Sequence, residues 1–187
     1  MILPIYAYGQ PVLKKVAKDI DKDYPELEKL LADMWETMYN AKGVGLAAPQ
    51  IGRGIRLFLV DSVQVMEEGK EADGIKQVFI NAQKVEETGK EWAYEEGCLS
   101  IPDIRGDVKR QDTLTIRFLD ENFEEHTVTY TGINARVVQH EYDHIDGLLF
   151  TEKLKPIRKR LIKRKLENIK KGKIKSEYRM KFVVERR

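Results

Sequence analysis

The sequence is poor in the residues that cross-link chains and ligate metals: among 187 residues there is one cysteine, Cys98, and three histidines, His126, His140 and His144. A single cysteine excludes an intrachain disulfide and suits a reducing compartment. The scarcity also narrows any site built from soft or nitrogen ligands to those four side chains. Long apolar runs are missing too, so no segment is suited to spanning a bilayer, and no membrane partner is expected. The opening run Met1-Ile2-Leu3-Pro4-Ile5-Tyr6 lacks the charged region and cleavage site of a secretory signal, which points to a cytoplasmic location.

Apolar residues make up 42% of the chain, enough to bury a core, and the length suits one compact domain with an appendage. The net charge of +2 hides an asymmetry. Residues 151–187 hold 16 Lys or Arg against 4 Asp or Glu, a net of +12, and the remainder carries a net of −10. The chain therefore divides into a body, residues 1–150, and a basic end, residues 151–187.

Hydrophobic spacing predicts a helix opened by Tyr24-Pro25-Glu26 and running to about Lys42, with Leu27, Leu30, Leu31, Met34, Trp35 and Met38 on its inner face. Residues 43–52, rich in small side chains, read as a structured loop. Strands are expected over Ile55–Asp61, Gln77–Val85 and Glu91–Gly97, with a polar surface excursion at 63–75. Thr113–Leu119 and Glu125–Tyr130 alternate and flank Asp120-Glu121-Asn122, a hairpin pattern in which His126 is an ordinary strand residue. Gly132 to about Ile145 reads as a helix ended by Asp146-Gly147. Pro156 opens a basic helix to Lys171, and Tyr178–Val184 reads as a last strand. The fold class is α+β: antiparallel sheets around a central helix, with an N-terminal helix and a basic C-terminal helix plus tail.

That central helix carries His140-Glu141-Tyr142-Asp143-His144. Residues four apart share a helix face, so the two imidazoles can bind one metal ion, and Glu141 can curl toward a water beside it as a base. A hydrolytic site needs a third protein ligand and an open position. Glu167 is one candidate, but it lies in a strongly basic, exposed helix. Cys98 is the better one: it ends a strand after Gly97, and a thiolate beside two imidazoles suits Zn²⁺ or Fe²⁺.

Three segments together resemble the signature motifs of the peptide deformylase family: Gly43-Val44-Gly45-Leu46-Ala47-Ala48-Pro49-Gln50, Glu96-Gly97-Cys98-Leu99-Ser100 and Gln139-His140-Glu141-Tyr142-Asp143-His144. Their order and spacing agree with that family, and the resemblance covers roughly residues 1–150. It implies hydrolysis of the formyl amide on the initiator methionine of new bacterial proteins. It implies one divalent metal on Cys98, His140 and His144, usually Fe²⁺, with Zn²⁺ or Ni²⁺ able to replace it. Glu141 would act as general base and then as acid toward the leaving amine. The side-chain amide of Gln50 and the backbone N–H of Leu99 would face the developing oxyanion. Gly43 and Gly45 would let a substrate backbone approach, Gly97 lets the chain turn or pack closely before Cys98 and is counted with the substrate-binding residues, and Val44, Tyr94, Ile133 and Val137 are candidates either for a pocket that takes the methionine side chain or for plain core. Arg105 resembles a family arginine near the substrate or near Glu96. The excursion at 63–75 and the tail beyond the basic helix depart from compact members. The expected partners are formyl-methionyl nascent peptides and, through residues 153–175, the phosphate-rich surface of the ribosome. Two competing readings are a zincin-type peptidase using Glu167 and a basic RNA-binding module.

Overall fold

The computed structural model describes residues 1–183. Its main sheet has five antiparallel strands in the order β2-β3-β4-β5-β6, with β2 at Gly45–Ala47, β3 at Leu57–Asp61, β4 at Lys76–Cys98, β5 at Ile101–Leu119 and β6 at Glu125–Thr131. Three α-helices lie among the described residues: α1 at Leu27–Asn40, α2 at Gly132–Ile145 and α3 at Pro156–Lys170. A second, parallel sheet joins the two ends of the chain, β1 (Ile5–Tyr6) pairing with β7 (Met180–Lys181). No helix among the described residues is long and apolar enough to cross a membrane.

Strand β3 shows how the layers are set. All five residues of Leu57-Phe58-Leu59-Val60-Asp61 are buried because both faces of the sheet are covered. Successive side chains point to opposite faces. Leu57 and Leu59 join Leu31, Met34 and Met38 of α1, together with Val78 and Ile80. Phe58 and Val60 join Phe79, Phe118, Val138, Tyr142 and Ile145 on the α2 side. The aromatic rings there are in close contact, with centroids 4.6 Å apart for Phe58–Phe79 and 4.4 Å for Phe79–Phe118. Helix α2 is thus seated on one face of the sheet by its own apolar positions, which fixes where its polar positions project.

A third cluster ties the turn end of the β4–β5 hairpin to the C-terminal segment. Ile101, Ile104 and Val108 pack with Leu149, Phe150 and Leu154 and with Ile162 and Ile169 of α3. The α3 contribution is narrow: the remaining side chains of this basic helix are mostly exposed.

Several boundaries differ from the sequence expectation. The two strands expected at 77–85 and 91–97 are one strand of 23 residues, interrupted by irregularities at Thr88/Glu91 and elsewhere rather than broken. Gly89, at φ +84°, absorbs the local kink. Residues 101–112, given no element from the sequence, are the first half of β5. The structured loop at 43–52 contains the edge strand β2 and a short 3-10 turn, Ala48–Ile51. Of the expected last strand only Met180–Lys181 is paired, and Val184 lies outside the described residues.

Candidate metal centre and active site

The site forms where the end of β4 meets the last turns of α2. Cys98 closes β4 and pairs with Ile101 across the hairpin. His140 and His144 stand one turn apart on α2, their ring centroids 5.1 Å apart. One ligand atom from each of Cys98, His140 and His144 lies within 4.8 Å of the others. The Cys98 Sγ to His144 Nε2 distance is 3.4 Å. Glu167, on exposed α3, is not part of this group, so the structure gives no support to a third ligand there.

The candidate ligand His140 is held from behind. Its Nδ1 is 3.1 Å from Glu96 Oε2, which leaves Nε2 to face the cluster. Glu96 is buried and is the hub of an ion-pair network. Arg110 donates to it through Nε at 2.6 Å and Nη2 at 3.0 Å, and Arg136 through Nη1 at 3.0 Å. Arg110 also donates to Asp143 Oδ2 at 2.8 Å, tying the network back to α2. Burial pushes the Glu96 carboxyl up, but hydrogen bonds from His140 and Arg110 outweigh it and hold the group well below the usual carboxylate range. A buried charge is tolerable only when paired and hydrogen-bonded in this way. Arg136 lies four residues before His140 on the same helix face, so both side chains reach one carboxylate.

The sequence reading missed Arg110 and Arg136, and it left Arg105 near the substrate or near Glu96. The strand's alternation separates these. On β5, Ile104, Gly106, Val108 and Arg110 are buried, whereas Arg105, Asp107 and Lys109 are exposed. Arg105 therefore lies opposite Gly97 on the open face, 3.8 Å from Glu95, and does not contact Glu96. A basic residue at an inward position of an alternating strand is the signal that marks Arg110.

Burial is the largest influence on each of the three groups at the centre. It pushes His144 well below the ordinary histidine value, aided by repulsion from His140 and Arg110, so this ring keeps a free lone pair. His140 is also pushed down by burial, but its hydrogen bonds to Cys98 and Glu96 prevail and raise it well above the usual value. Acceptors that favour a proton there equally favour a cation. Glu141 is raised by burial to about 7, with Glu96 and Asp143 adding to the rise and His140 opposing it. Its Oε2 is buried with no hydrogen-bond partner. An orphaned carboxylate oxygen next to a sulfur and two ring nitrogens is the arrangement expected where a metal and a reacting water belong.

Gly45 makes room for Glu141. A Cβ placed on Gly45 would overlap Glu141 Oε1 and stand 2.7 Å from its Cδ. The glycine expected to admit a substrate backbone thus also admits the carboxylate. Gln50 is fully buried and clamped at both ends of its amide. Its Oε1 accepts from Ala47 N at 2.9 Å, and its Nε2 donates to Ser100 Oγ at 3.2 Å and Cys98 Sγ at 3.4 Å. Leu99, adjacent to Cys98, is half-buried. Of the four expected pocket residues, Val137 is buried in the α2 cluster and Val44 packs against the same cluster. Ile133 is half-buried on the first turn of α2. Tyr94 is partly exposed and leans on Trp92, their centroids 5.3 Å apart.

One other group of three ligand-type residues is as close together among the described residues: Asp120, Glu124 and His126. There Asp120 Oδ1 accepts from the backbone of Asn122 and Glu124, and Oδ2 lies 2.7 Å from His126 Nε2. These bonds close the β5–β6 turn.

Comparisons with known proteins agree on one family. A sequence model of the polypeptide deformylase family matches residues 2–160. The chain is 61% identical over 189 residues to a peptide deformylase of Christiangramia forsetii, covering 97% of this chain and 96% of that one. It is 54% identical over 194 residues to a peptide deformylase of Flavobacterium psychrophilum, covering all of both chains. Among solved structures, a peptide deformylase from Legionella pneumophila superposes with a TM-score of 0.80 at 36% identity, covering 92% of this chain and 98% of that one. With a match that runs through all three motifs and relatives aligned from end to end, the chain belongs to the polypeptide deformylase family.

Proposed function

We propose that this chain hydrolyses the formyl amide of the N-terminal formyl-methionine on nascent polypeptides, using one divalent metal held by Cys98, His140 and His144. The enzyme class follows from the family, whose members are hydrolases that remove an N-terminal formyl group. The residue roles rest on one observation: a thiol and two imidazoles converge within 4.8 Å at the side of a buried carboxylate that has no partner for one oxygen.

A divalent cation held by these three side chains would polarise a carbonyl and lower the pKa of water toward neutrality. Fe²⁺ is the proposed native ion, and the mixed sulfur and nitrogen set also accepts Zn²⁺ or Ni²⁺. Glu141 takes a proton from the attacking water and returns it to the amine nitrogen as the formyl C–N bond breaks. The Gln50 amide, with its oxygen anchored on Ala47 N, keeps its NH₂ directed toward Cys98, where it can donate to the oxyanion beside the N–H of Leu99. Glu96, fixed by two arginines, sets the His140 ring. Val44, Tyr94, Ile133 and Val137 are assigned to the methionine side chain, and Gly45, Gly97 and Arg105 to the peptide that follows.

In this reading residues 1–150 are the catalytic body and residues 151–187 a basic addition, of which α3 packs on the body through Ile162 and Ile169. The exposed basic face of α3 is assigned to ribosomal RNA phosphate. The zincin alternative loses its third ligand, since Glu167 is apart from the histidines, and the RNA-binding module leaves the buried cluster without a use.

The deciding experiment is an anaerobic assay of formate release from a formyl-methionyl peptide, with metal content measured on the same sample. Release that scales with bound metal supports the reading, and a metal-loaded protein that releases none sinks it.

A further inference from the structure

We propose that the two ends of the chain form a strap that holds the Leu99–Ser100 turn, and that Tyr178 is a positioning residue for the reaction. The inference rests on the roles given above to Leu99 and Gln50.

Cys98 pairs with Ile101, so Leu99 and Ser100 are the two residues of the loop that joins β4 to β5. In such a loop the carbonyls of the central residues have no partner in the strand ladder, yet backbone acceptors away from water need one. Both are supplied from the ends of the chain. Tyr178 Oη donates to Leu99 O at 2.7 Å, and the backbone N–H of Tyr8 donates to Ser100 O at 2.8 Å.

These two residues are themselves tied together. Ile5 N donates to Arg179 O at 2.9 Å and Ala7 N to Lys181 O at 3.0 Å, which is the β1–β7 pairing. Gln10 Nε2 adds a bond to Phe182 O at 2.8 Å. Tyr8 and Tyr178 therefore flank one small parallel sheet, and each reaches from it to one carbonyl of the turn.

The turn bears on the site from both sides. Cys98 precedes it, and Ser100 Oγ accepts from the Gln50 amide at 3.2 Å. Because peptide units are planar, holding two successive carbonyls fixes the planes on either side of Ser100. The Leu99 N–H lies in the preceding Cys98–Leu99 unit, which is bounded by the held Leu99–Ser100 plane on one side and by the Cys98–Ile101 pairing on the other, so its direction is restricted from both sides. Tyr178 lies beyond residues 2–160, the segment matched by the family model, so the strap is completed by a part of the chain outside the shared motifs.

The test uses the full-length, metal-loaded Tyr178→Phe variant, which removes the donor and keeps the ring. The expected result is an unchanged metal content and a kcat lower by about ten-fold, the equivalent of about 1.4 kcal/mol in the barrier. KM should stay within about two-fold, since the loss is felt in the transition state. Hydrogen–deuterium exchange of the segment around residues 97–102 should quicken. An unchanged kcat in Tyr178→Phe overturns the positioning role, whatever the exchange shows. So does a fall in kcat that merely follows lost metal. If the unsubstituted protein releases no formate, the catalytic reading fails; the exchange comparison then still decides whether Tyr178 holds the turn, and unchanged exchange overturns the strap.

Discussion

Helices α2 and α3 are nearly equal in length, 14 and 15 residues, but they treat polar groups in opposite ways. Helix α2 buries Arg136, Gln139, Glu141, Asp143 and His144. Helix α3 buries only Ile162 and Ile169 and leaves its lysines and arginines in water. Removing a charge from water is costly unless a partner answers it. On α2 the partners are present for Arg136, Asp143 and His140, and the one carboxylate left incomplete, Glu141, stands beside the ligand cluster. On α3 the cations stay in water, and even Arg158, which donates to Arg105 O at 2.5 Å, is exposed. Chemistry belongs to the helix that bears the desolvation cost, and charge display to the one that avoids it.

The comparison breaks most sharply at the ligand set. Cys98→Ala should abolish stoichiometric metal binding and reduce formate release by more than about a thousand-fold, since the metal supplies most of the charge stabilisation. Elemental analysis of the purified variant checks the first part. Retention of one ion per chain would show that the sulfur is not a ligand. Glu141→Gln isolates the proton-transfer role. The ion should remain while turnover falls about 10²–10⁴-fold, the range for a lost general acid–base. Gln50→Ala should cost less, on the order of 10²-fold in kcat, because Leu99 N–H remains as a donor. A Gln50→Ala enzyme with normal kcat and raised KM would assign the amide to ground-state binding instead.

How legible each helix was in the sequence follows from the same contrast. Helix α2 could be bounded from Gly132 to Ile145 because its apolar positions and its His-Glu-x-x-His run coincide on one element. The place of Cys98 beside the two histidines was legible once a sulfur was sought. The support behind it was not. In Ile104, Gly106, Val108 and Arg110 the inward positions of β5 alternate properly, but a glycine and an arginine occupy two of them, so the strand hides from a hydrophobicity reading. Glu96 was visible only as part of a motif, because its partners Arg110 and Arg136 come from a different strand and from α2. The β1–β7 pairing joins residues near the two ends, a contact with no local pattern at all.

On α3 the effect should be on stability, not on chemistry. Ile162 is 2% exposed and packs with Ile101, Ile104 and Val108 near the turn of the hairpin. Ile162→Ala should lower stability by roughly 2–5 kcal/mol through the lost burial and the cavity left behind. Chemical denaturation measures it, and kcat at low temperature should change little. A large fall in kcat in the folded variant would mean that α3 transmits to the site through the hairpin turn, and the contrast between the helices would blur.

The smallest catalytic effect is expected where the charge is merely displayed. Lys159, Lys163 and Arg164 are exposed on α3. Reversing all three to Glu should leave kcat/KM on a free formyl-methionyl peptide unchanged within about two-fold, because each charge is solvated and largely screened beyond ~10 Å at ordinary ionic strength. Binding to ribosomes is a different matter. Each cation that neutralises a phosphate releases a counterion, so affinity falls steeply as salt rises, and the slope counts the contacts. The charge-reversed chain should co-sediment poorly at low salt, and its residual binding should lose most of its salt dependence. If it still pellets with an unaltered salt slope, these α3 residues make no phosphate contact, and the basic end serves solubility instead of docking.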